Sequence, residues 1–98
     1  MEQGPLPFRR MVFVCVNQRE NGEACCAGRG SQAILEALKA RVSALGLARL
    51  VRVSRSGCQD VCAKGPSVMI FPDAVWYYGV TGADVERIIE HATRGLAP

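Results

Sequence analysis

The five cysteines are the residues of this 98-residue chain best suited to do chemistry. They are Cys15, Cys25, Cys26, Cys58 and Cys62. Cys58 and Cys62 stand four positions apart, so a helical turn would place their Cβ atoms about 5–6 Å apart on one face. Four converging thiolates suit tetrahedral zinc or an iron–sulfur cluster. A five-cysteine chain therefore has one cysteine more than such a site needs.

The spacing leaves several cysteine chemistries open. Structural zinc sites favour two closely spaced pairs, whereas Cys15 and Cys26 are far apart. The cysteine runs of plant-type and bacterial ferredoxins are absent. Thioredoxin-type redox chemistry uses C-x-x-C, not the C-x-x-x-C of Cys58 and Cys62. Spacing alone favours an iron–sulfur cluster, with zinc, thiol redox chemistry and buried structural cysteines as the alternatives.

Composition and charge exclude other functions. The net charge is only +3, from 12 Lys+Arg and 9 Asp+Glu, and the basic residues are scattered, so we expect no nucleic-acid partner. The longest apolar run, Met11 to Val16, is far shorter than the ~18 residues of a membrane span, and no export signal precedes it. We therefore expect a cytoplasmic protein without a membrane partner. No catalytic triad, carboxylate pair or phosphate loop appears, so we expect no enzyme.

The hydrophobic pattern predicts an α/β fold with the element order β-α-β-β-β-α. The length and the 49% hydrophobic content predict one domain over residues 1–98, with 1–9 as a flexible arm. Strands are predicted at Met11–Val16, Leu50–Ser54, Ser67–Phe71 and Val75–Gly79. The β-α-β unit implies a parallel pair, and the following hairpin adds antiparallel strands. The simplest packing is a thioredoxin-like, four-stranded mixed sheet with two main helices.

Local signals set the ends of the two predicted helices. Ser31 is predicted to cap the first, and Gly46 to end it. Its predicted buried stripe is Ile34, Leu35, Leu38, Val42 and Leu45. Thr81 and Asp84 are spaced nearly as a capping box, Val80 and Val85 as a hydrophobic staple, and Gly95 ends the second helix. The buried stripe of this helix is Val85, Ile88, Ile89 and Ala92.

The predicted elements bring the cysteines together. Cys15 lies on the first strand, and irregular segments follow at 17–30 and 55–66. Each segment starts where a strand of the β-α-β unit ends, so both are expected at the same end of the sheet, where open α/β sheets place their sites.

Four blocks of sequence resemble the thioredoxin-like [2Fe-2S] ferredoxin family. They are Met11-Val-Phe-Val-Cys-Val-Asn-Gln-Arg19, Cys26-Ala-Gly-Arg-Gly-Ser31, Ser56-Gly-Cys-Gln-Asp-Val-Cys-Ala-Lys-Gly-Pro-Ser-Val68, and the hairpin from Phe71 to Thr81 with the helix start at Asp84-Val85. Together they extend over roughly residues 11–95. The resemblance implies a one-electron carrier with a single [2Fe-2S] cluster. It also implies redox protein partners and commonly a homodimer. Thiol–disulfide redox chemistry and a zinc-binding interaction module remain the alternatives.

The resemblance also assigns residues. It implies that Cys15, Cys26, Cys58 and Cys62 bind the cluster, because Cys26 begins the Cys-Ala-Gly-Arg-Gly block, and it leaves Cys25 as a free thiol. The segment between Cys15 and Cys26 is shorter than is usual in the family and lacks the common prolines. Ala74 stands where members often have Gly, so a positive φ at this turn would be strained.

Three further predictions concern single side chains. Pro66 precedes the third strand, where thioredoxin-like folds commonly have a cis proline. At least one of Trp76, Tyr77 and Tyr78 should face away from the core and be free to contact a dimer partner, although sheet packing is the simpler role. His91 is predicted to be a helix-surface residue.

Overall fold

The computed structural model describes residues 1–15, 30–56 and 66–97. The helices and strands follow the predicted order. They are β1 (Arg10–Cys15), α1 (Ser31–Ala44), β2 (Val51–Ser56), β3 (Val68–Phe71), β4 (Val75–Tyr77), a 3-10 turn (Gly82–Asp84) and α2 (Val85–Thr93). Cys25, Cys26, Cys58 and Cys62 lie outside the described residues.

The four strands form one mixed sheet, as predicted, in the order β2-β1-β3-β4. β1 pairs with β2 in parallel and with β3 antiparallel, and β3 pairs antiparallel with β4. β1 is therefore an inner strand with hydrogen-bonded neighbours on both sides. This position suits its β-branched and aromatic sequence.

The core lies between one face of the sheet and the two helices. Val12 and Val14 of β1 point to this face and are buried, as are Val51 and Val53 of β2 and Val68 and Ile70 of β3. The helices contribute Ile34, Leu35, Leu38 and Val42 from α1, and Val85, Ile88, Ile89 and Ala92 from α2. Because both helical stripes belong to the same hydrophobic cluster, the fold has two layers.

Two predictions at the ends of α1 are wrong. Gly30, not Ser31, is the N-cap, with φ +85°, and Ser31 is buried as the first helical residue without a capping hydrogen bond. Leu45 is 36% exposed rather than part of the buried stripe, because α1 ends at Ala44 and Leu45 is its C-cap. Gly46 does end the helix, with φ +73°. The buried Leu47 then supplies the core contact predicted for Leu45.

The strand ends also differ from prediction. β4 stops at Tyr77 instead of Gly79, whose φ of +61° is incompatible with a strand. β2 continues to Ser56, two residues further than expected. The predicted start of the last helix is confirmed: the Thr81 N–H donates to Asp84 Oδ2 at 2.9 Å, and Val80 and Val85 are both buried. Gly95 ends this helix with φ +78°.

A chain of polar contacts ties α2 to the β3–β4 turn, and it contradicts the prediction that His91 lies on the helix surface. The His91 side chain is only 15% exposed. Its Nε2 lies 2.7 Å from Asp73 Oδ2, and its Nδ1 lies 2.7 Å from the Tyr77 hydroxyl. An ionised carboxylate only accepts, so Nε2–H donates to Asp73, and in the neutral ring Nδ1 then accepts from the Tyr77 hydroxyl. Arg10 Nε lies 3.6 Å from the same carboxylate.

These contacts shift the titration of Asp73. The hydrogen bond from His91 holds the pKa of Asp73 below its ordinary value of 3.8, desolvation opposes this, and the positive charge of Arg10 adds to the lowering. A carboxyl with a lowered pKa in the folded state stabilises the fold above its unfolded pKa. That contribution disappears as the pH falls below about 3.8.

We expect Asp73→Asn to lower the thermal unfolding midpoint at pH 7, because Asn keeps the shape but not the charge that faces His91 and Arg10. The difference from wild type should shrink as the pH falls below about 3.8, where Asp73 itself loses its charge. Circular dichroism melts between pH 7 and pH 3 measure this. The control is Glu90→Gln, which changes an exposed carboxylate on α2. Its unfolding midpoint should change with pH in the same way as that of wild type. If the difference in midpoint between Asp73→Asn and wild type stayed the same at low pH, the stabilising role of the Asp73 charge would be contradicted.

The β3–β4 turn carries backbone strain at one residue. Ala74 has φ +57°, so this turn does require the positive φ at which strain is expected for an alanine. A Cβ atom makes this left-handed conformation costly. A cis peptide bond precedes Pro72 in the same turn. The bond predicted to be cis, before Pro66, begins at Gly65 and lies outside the described residues.

Ala74→Gly should raise the free energy of unfolding by about 0.5–1 kcal/mol, since the relief of left-handed strain exceeds the extra chain entropy of Gly. For a domain of this size, that corresponds to a rise of a few degrees in the thermal midpoint. The matched control is Ala83→Gly in the 3-10 turn, which has no positive φ and should be neutral or destabilising. Equal effects of the two substitutions would show that Ala74 is not strained.

Candidate metal centre

Cys15 is the one predicted site residue within the described part of the chain. It is the last residue of β1, and its side chain is fully buried with no disulfide. Its N–H donates to the Ser67 carbonyl at 3.1 Å. Because β1 is held on both sides, the backbone that carries this thiol is fixed by the sheet.

The ends of β1 and β2 and the start of β3 lie together at the end of the sheet that carries Cys15, which we call the cysteine pole. Cys15 pairs with Ser56, the last residue of β2, so the parallel strands end side by side. β3 begins next to them, with Ser67 just before its first residue. Segment 57–65 therefore leaves and rejoins the sheet at this pole, and segment 16–29 leaves from it. The expectation that both cysteine-bearing segments start at the same end is confirmed.

The cysteine pole contains a hydroxyl group, that of Ser67, which has no hydrogen-bond partner among the described residues. Ser67 is fully buried, and its Oγ is unpaired in the structure. Ser31, at the start of α1, is in the same situation. Leaving a buried hydroxyl unpaired costs about 1–3 kcal/mol. A buried thiol ligand beside an unused hydrogen-bond donor fits a group that is bound through sulfur and accepts hydrogen bonds.

Sequence reasoning missed the two serines that flank Cys15. Ser56 and Ser67 are neighbours of Cys15 only through strand register, and hydrophobic periodicity does not specify which residues pair across a sheet. The predicted ligands Cys26, Cys58 and Cys62, and the spare Cys25, lie outside the described residues. Within residues 1–15, 30–56 and 66–97, no three metal-binding side chains come together.

A groove of about 780 Å³ between α1 and α2 is a separate feature. Small apolar side chains such as Ala33, Ala37 and Val85 line it. Its charged residues, Arg41 and Glu86, pair with each other at 2.6 Å. The groove therefore offers shape without reactive groups.

Among the helices that the structure describes, none is long and apolar enough to cross a membrane.

The fold and the site define a class: a thioredoxin-like two-layer domain with a buried cysteine at the end of an inner strand. The crystal structure of the thioredoxin-like [2Fe-2S] ferredoxin from Aquifex aeolicus matches it with a TM-score of 0.82 and 33% identity, over 92% of this chain and 91% of that one. The structure of a cysteine-to-serine variant of that ferredoxin matches with a TM-score of 0.80 and 34% identity, over 91% of each chain.

Curated relatives agree with the structural match. A 2Fe-2S ferredoxin from Clostridium pasteurianum is 37% identical, over 81% of this chain and 79% of the relative. A 2Fe-2S ferredoxin from Aquifex aeolicus (strain VF5) is 36% identical, over 89% of this chain and 81% of the relative. No family model matches the chain. The chain belongs to the thioredoxin-like [2Fe-2S] ferredoxin family.

Proposed function

We propose that this protein is a one-electron carrier that holds a single [2Fe-2S] cluster at its cysteine pole. Its relatives are 2Fe-2S ferredoxins, which supports an electron carrier rather than a catalyst. The observation that carries the proposal is the buried Cys15 at the point where both cysteine-bearing segments join the sheet. Residues 1–98 then form one ferredoxin domain, with 1–9 as a flexible arm.

The cluster ligands are Cys15, Cys26, Cys58 and Cys62. Cys58 is two residues beyond Ser56, whose Cα pairs with Cys15, so the chain can carry it at most about 7 Å from that strand end. Cys62 precedes Ser67 by five residues, and the Ser67 carbonyl accepts the Cys15 N–H. Short tethers at both ends of this segment support convergence at one centre.

The site residues have simple tasks in electron transfer. When bound, the cluster supplies one reversible one-electron reduction. Cys15 and the other ligands bind as thiolates, so they must lose their protons on binding. The burial of Cys15 keeps water away from its sulfur, and the hydrogen-bonded strand keeps the ligand in place. A fixed ligand changes little when the charge changes, and this favours fast electron transfer.

Cys15→Ala should lower iron and acid-labile sulfide several-fold, because three thiolates leave one iron incompletely bound. Cys25→Ala is the matched control and should keep about two irons and two sulfides per chain. The proteins are purified anaerobically with iron supplied, and circular dichroism checks that each is folded. On reduction, the wild-type protein should take up one electron per chain. The reduced form should then show a half-integer-spin paramagnetic resonance signal that the oxidised form lacks.

Other outcomes would contradict parts of this assignment. Loss of the cluster in Cys25→Ala would make Cys25 the ligand. Stoichiometric zinc without labile sulfide in wild type would identify a zinc-binding interaction module. Redox activity retained in full by Cys15→Ala without iron would identify thiol–disulfide chemistry.

The partners are redox proteins that donate and accept the electron, in the cytoplasm and without nucleic acid or membrane. We also propose a homodimer, formed through the sheet face opposite the helices. This face, which we call the open face, carries Met11, Phe13, Met69, Phe71 and Trp76. Phe71 is 41% exposed, and the adjacent Tyr78 is 60% exposed, as expected for at least one of the three aromatics.

The makeup of the open face supports a second copy as its occupant. Its residues on β1, β3 and β4 are aromatic or methionine, without charge. Phe13 and Phe71 meet edge to face at 6.1 Å, and the open-face residues alternate with the core residues of the same strands. On β2 the same face carries the exposed Arg52, opposite Met11, so the uncharged surface through which two copies can stack in a symmetric interface is the part on β1, β3 and β4.

Phe71→Lys should convert the dimer to a monomer, because it buries a charge between two apolar surfaces. Size-exclusion chromatography with light scattering on the cluster-loaded protein measures the mass. Leu45→Lys is the control: it changes a leucine of similar exposure, 36% against 41%, at the end of α1, and it should leave the mass unchanged. A wild-type protein that is monomeric at micromolar concentration would contradict the dimer without affecting the cluster assignment.

A further inference from the structure

We propose that the Ser67 hydroxyl donates a hydrogen bond to the sulfur shell of the cluster beside Cys15 and thereby raises its reduction potential. The inference rests on the proposed function, since it requires Cys15 to be a ligand. It assigns a tuning role to a residue that is itself not a ligand.

Strand register places Ser67 next to Cys15. Val14 of β1 pairs with Val68 of β3, so the next pair along these antiparallel strands is Cys15 with Ser67. The 3.1 Å hydrogen bond from the Cys15 N–H to the Ser67 carbonyl continues the pairing to that point. Residues directly opposite in such a pair point to the same side of the sheet, with Cβ atoms about 4.5–5.5 Å apart.

The Ser67 hydroxyl is available for a further bond, because no residue in the described part of the chain pairs with it. Its residue is fully buried, so water does not reach it, and its Oγ has no partner in the structure. A hydroxyl rotates freely to direct its proton. Metal-bound thiolate and sulfide are anionic and accept hydrogen bonds better than a neutral thiol does. The unpaired donor thus lies beside the position where such an acceptor is proposed.

The other serines near Cys15 do not meet the same conditions. Ser56 flanks Cys15 from β2, but it already has an interaction within the structure. Ser31 is buried and unpaired, but it lies on α1, where no strand register relates it to Cys15. Ser67 alone among these three combines an unpaired hydroxyl with a direct cross-strand position.

The effect on the cluster follows from charge. Reduction adds one negative charge to the sulfur shell. A hydrogen bond to that shell strengthens as its charge grows, so the bond stabilises the reduced form more than the oxidised form. Removing the donor should therefore make the reduction potential more negative.

The test is the midpoint potential of Ser67→Ala, measured by redox titration of the visible spectrum on the cluster-loaded protein. We expect full iron and sulfide content and about a tenfold lower equilibrium constant for reduction, which is about 59 mV for one electron. Ser67→Thr keeps the hydroxyl and should stay closer to the wild-type potential. Ser54→Ala is the matched control, because Ser54 lies on β2, on the same sheet face but two residues from the pole, and its potential should not change.

An unchanged potential in fully loaded Ser67→Ala would overturn the inference and leave the proposed function intact. An equal shift in Ser54→Ala would do the same, because it would point to a general effect of the sheet face. If Ser67→Ala fails to load, Ser67→Gly also lacks the hydroxyl and is judged by the same criterion. Failure of both to load would overturn the tuning role, since a donor tunes the cluster without binding it. A wild-type protein without iron and sulfide would instead refute the proposed function itself.

Discussion

The position of Cys15 at the end of an inner strand is the constraint on which the site depends. β1 is hydrogen-bonded to β2 on one side and to β3 on the other, so its last residue cannot move without breaking the sheet. A cysteine on an edge strand or in a loop would need its own supporting contacts. Here the sheet positions the thiol, and the same sheet brings the ends of segments 16–29 and 57–65 to it. In the proposed function, segments 16–29 and 57–65 therefore need to supply ligands but not a framework.

The pairing of parallel and antiparallel strands around β1 explains how this is possible. β2, the parallel neighbour, ends beside Cys15, and β3, the antiparallel neighbour, begins there. One short segment between β2 and β3 can thus leave and return at the same pole. In a fully parallel sheet, the chain after β2 would have to cross the whole length of the molecule before the next strand, and only its start would face the cysteine.

Much of this was predictable from the residues, and what was not has a physical reason. The apolar periods of β1, α1 and α2 gave the element order and most of the core, because burial on one face imposes a period on the sequence. Leu45 fits the hydrophobic period of α1 but lies beyond its last residue. The helix ends because the backbone adopts a positive φ at Gly46, and the hydrophobic pattern alone does not show that end. His91 was misjudged because its partners, Tyr77 and Asp73, are distant in sequence. The serines beside Cys15 escaped notice because cross-strand register is a property of the folded sheet.

The two ends of β1 have different roles in the fold. Arg10 opens the strand and joins the network of Asp73, His91 and Tyr77, which fastens the β3–β4 turn to α2. Cys15 closes the strand about 17 Å away at the strand rise of about 3.3 Å per residue. At the first end the His91, Asp73 and Tyr77 side chains are hydrogen-bonded to one another, although Arg10 Nε has no hydrogen-bond partner of its own in the described part of the chain. At the other end the Ser67 hydroxyl is unpaired. The two unpaired donors differ in their surroundings: Arg10 Nε lies 3.6 Å from the Asp73 carboxylate, whereas the Ser67 hydroxyl lies across the strand pair from Cys15, where we propose that a ligand completes the site. The local cost of the unpaired Ser67 donor is tolerable because the network and the helical core hold the rest of the sheet together.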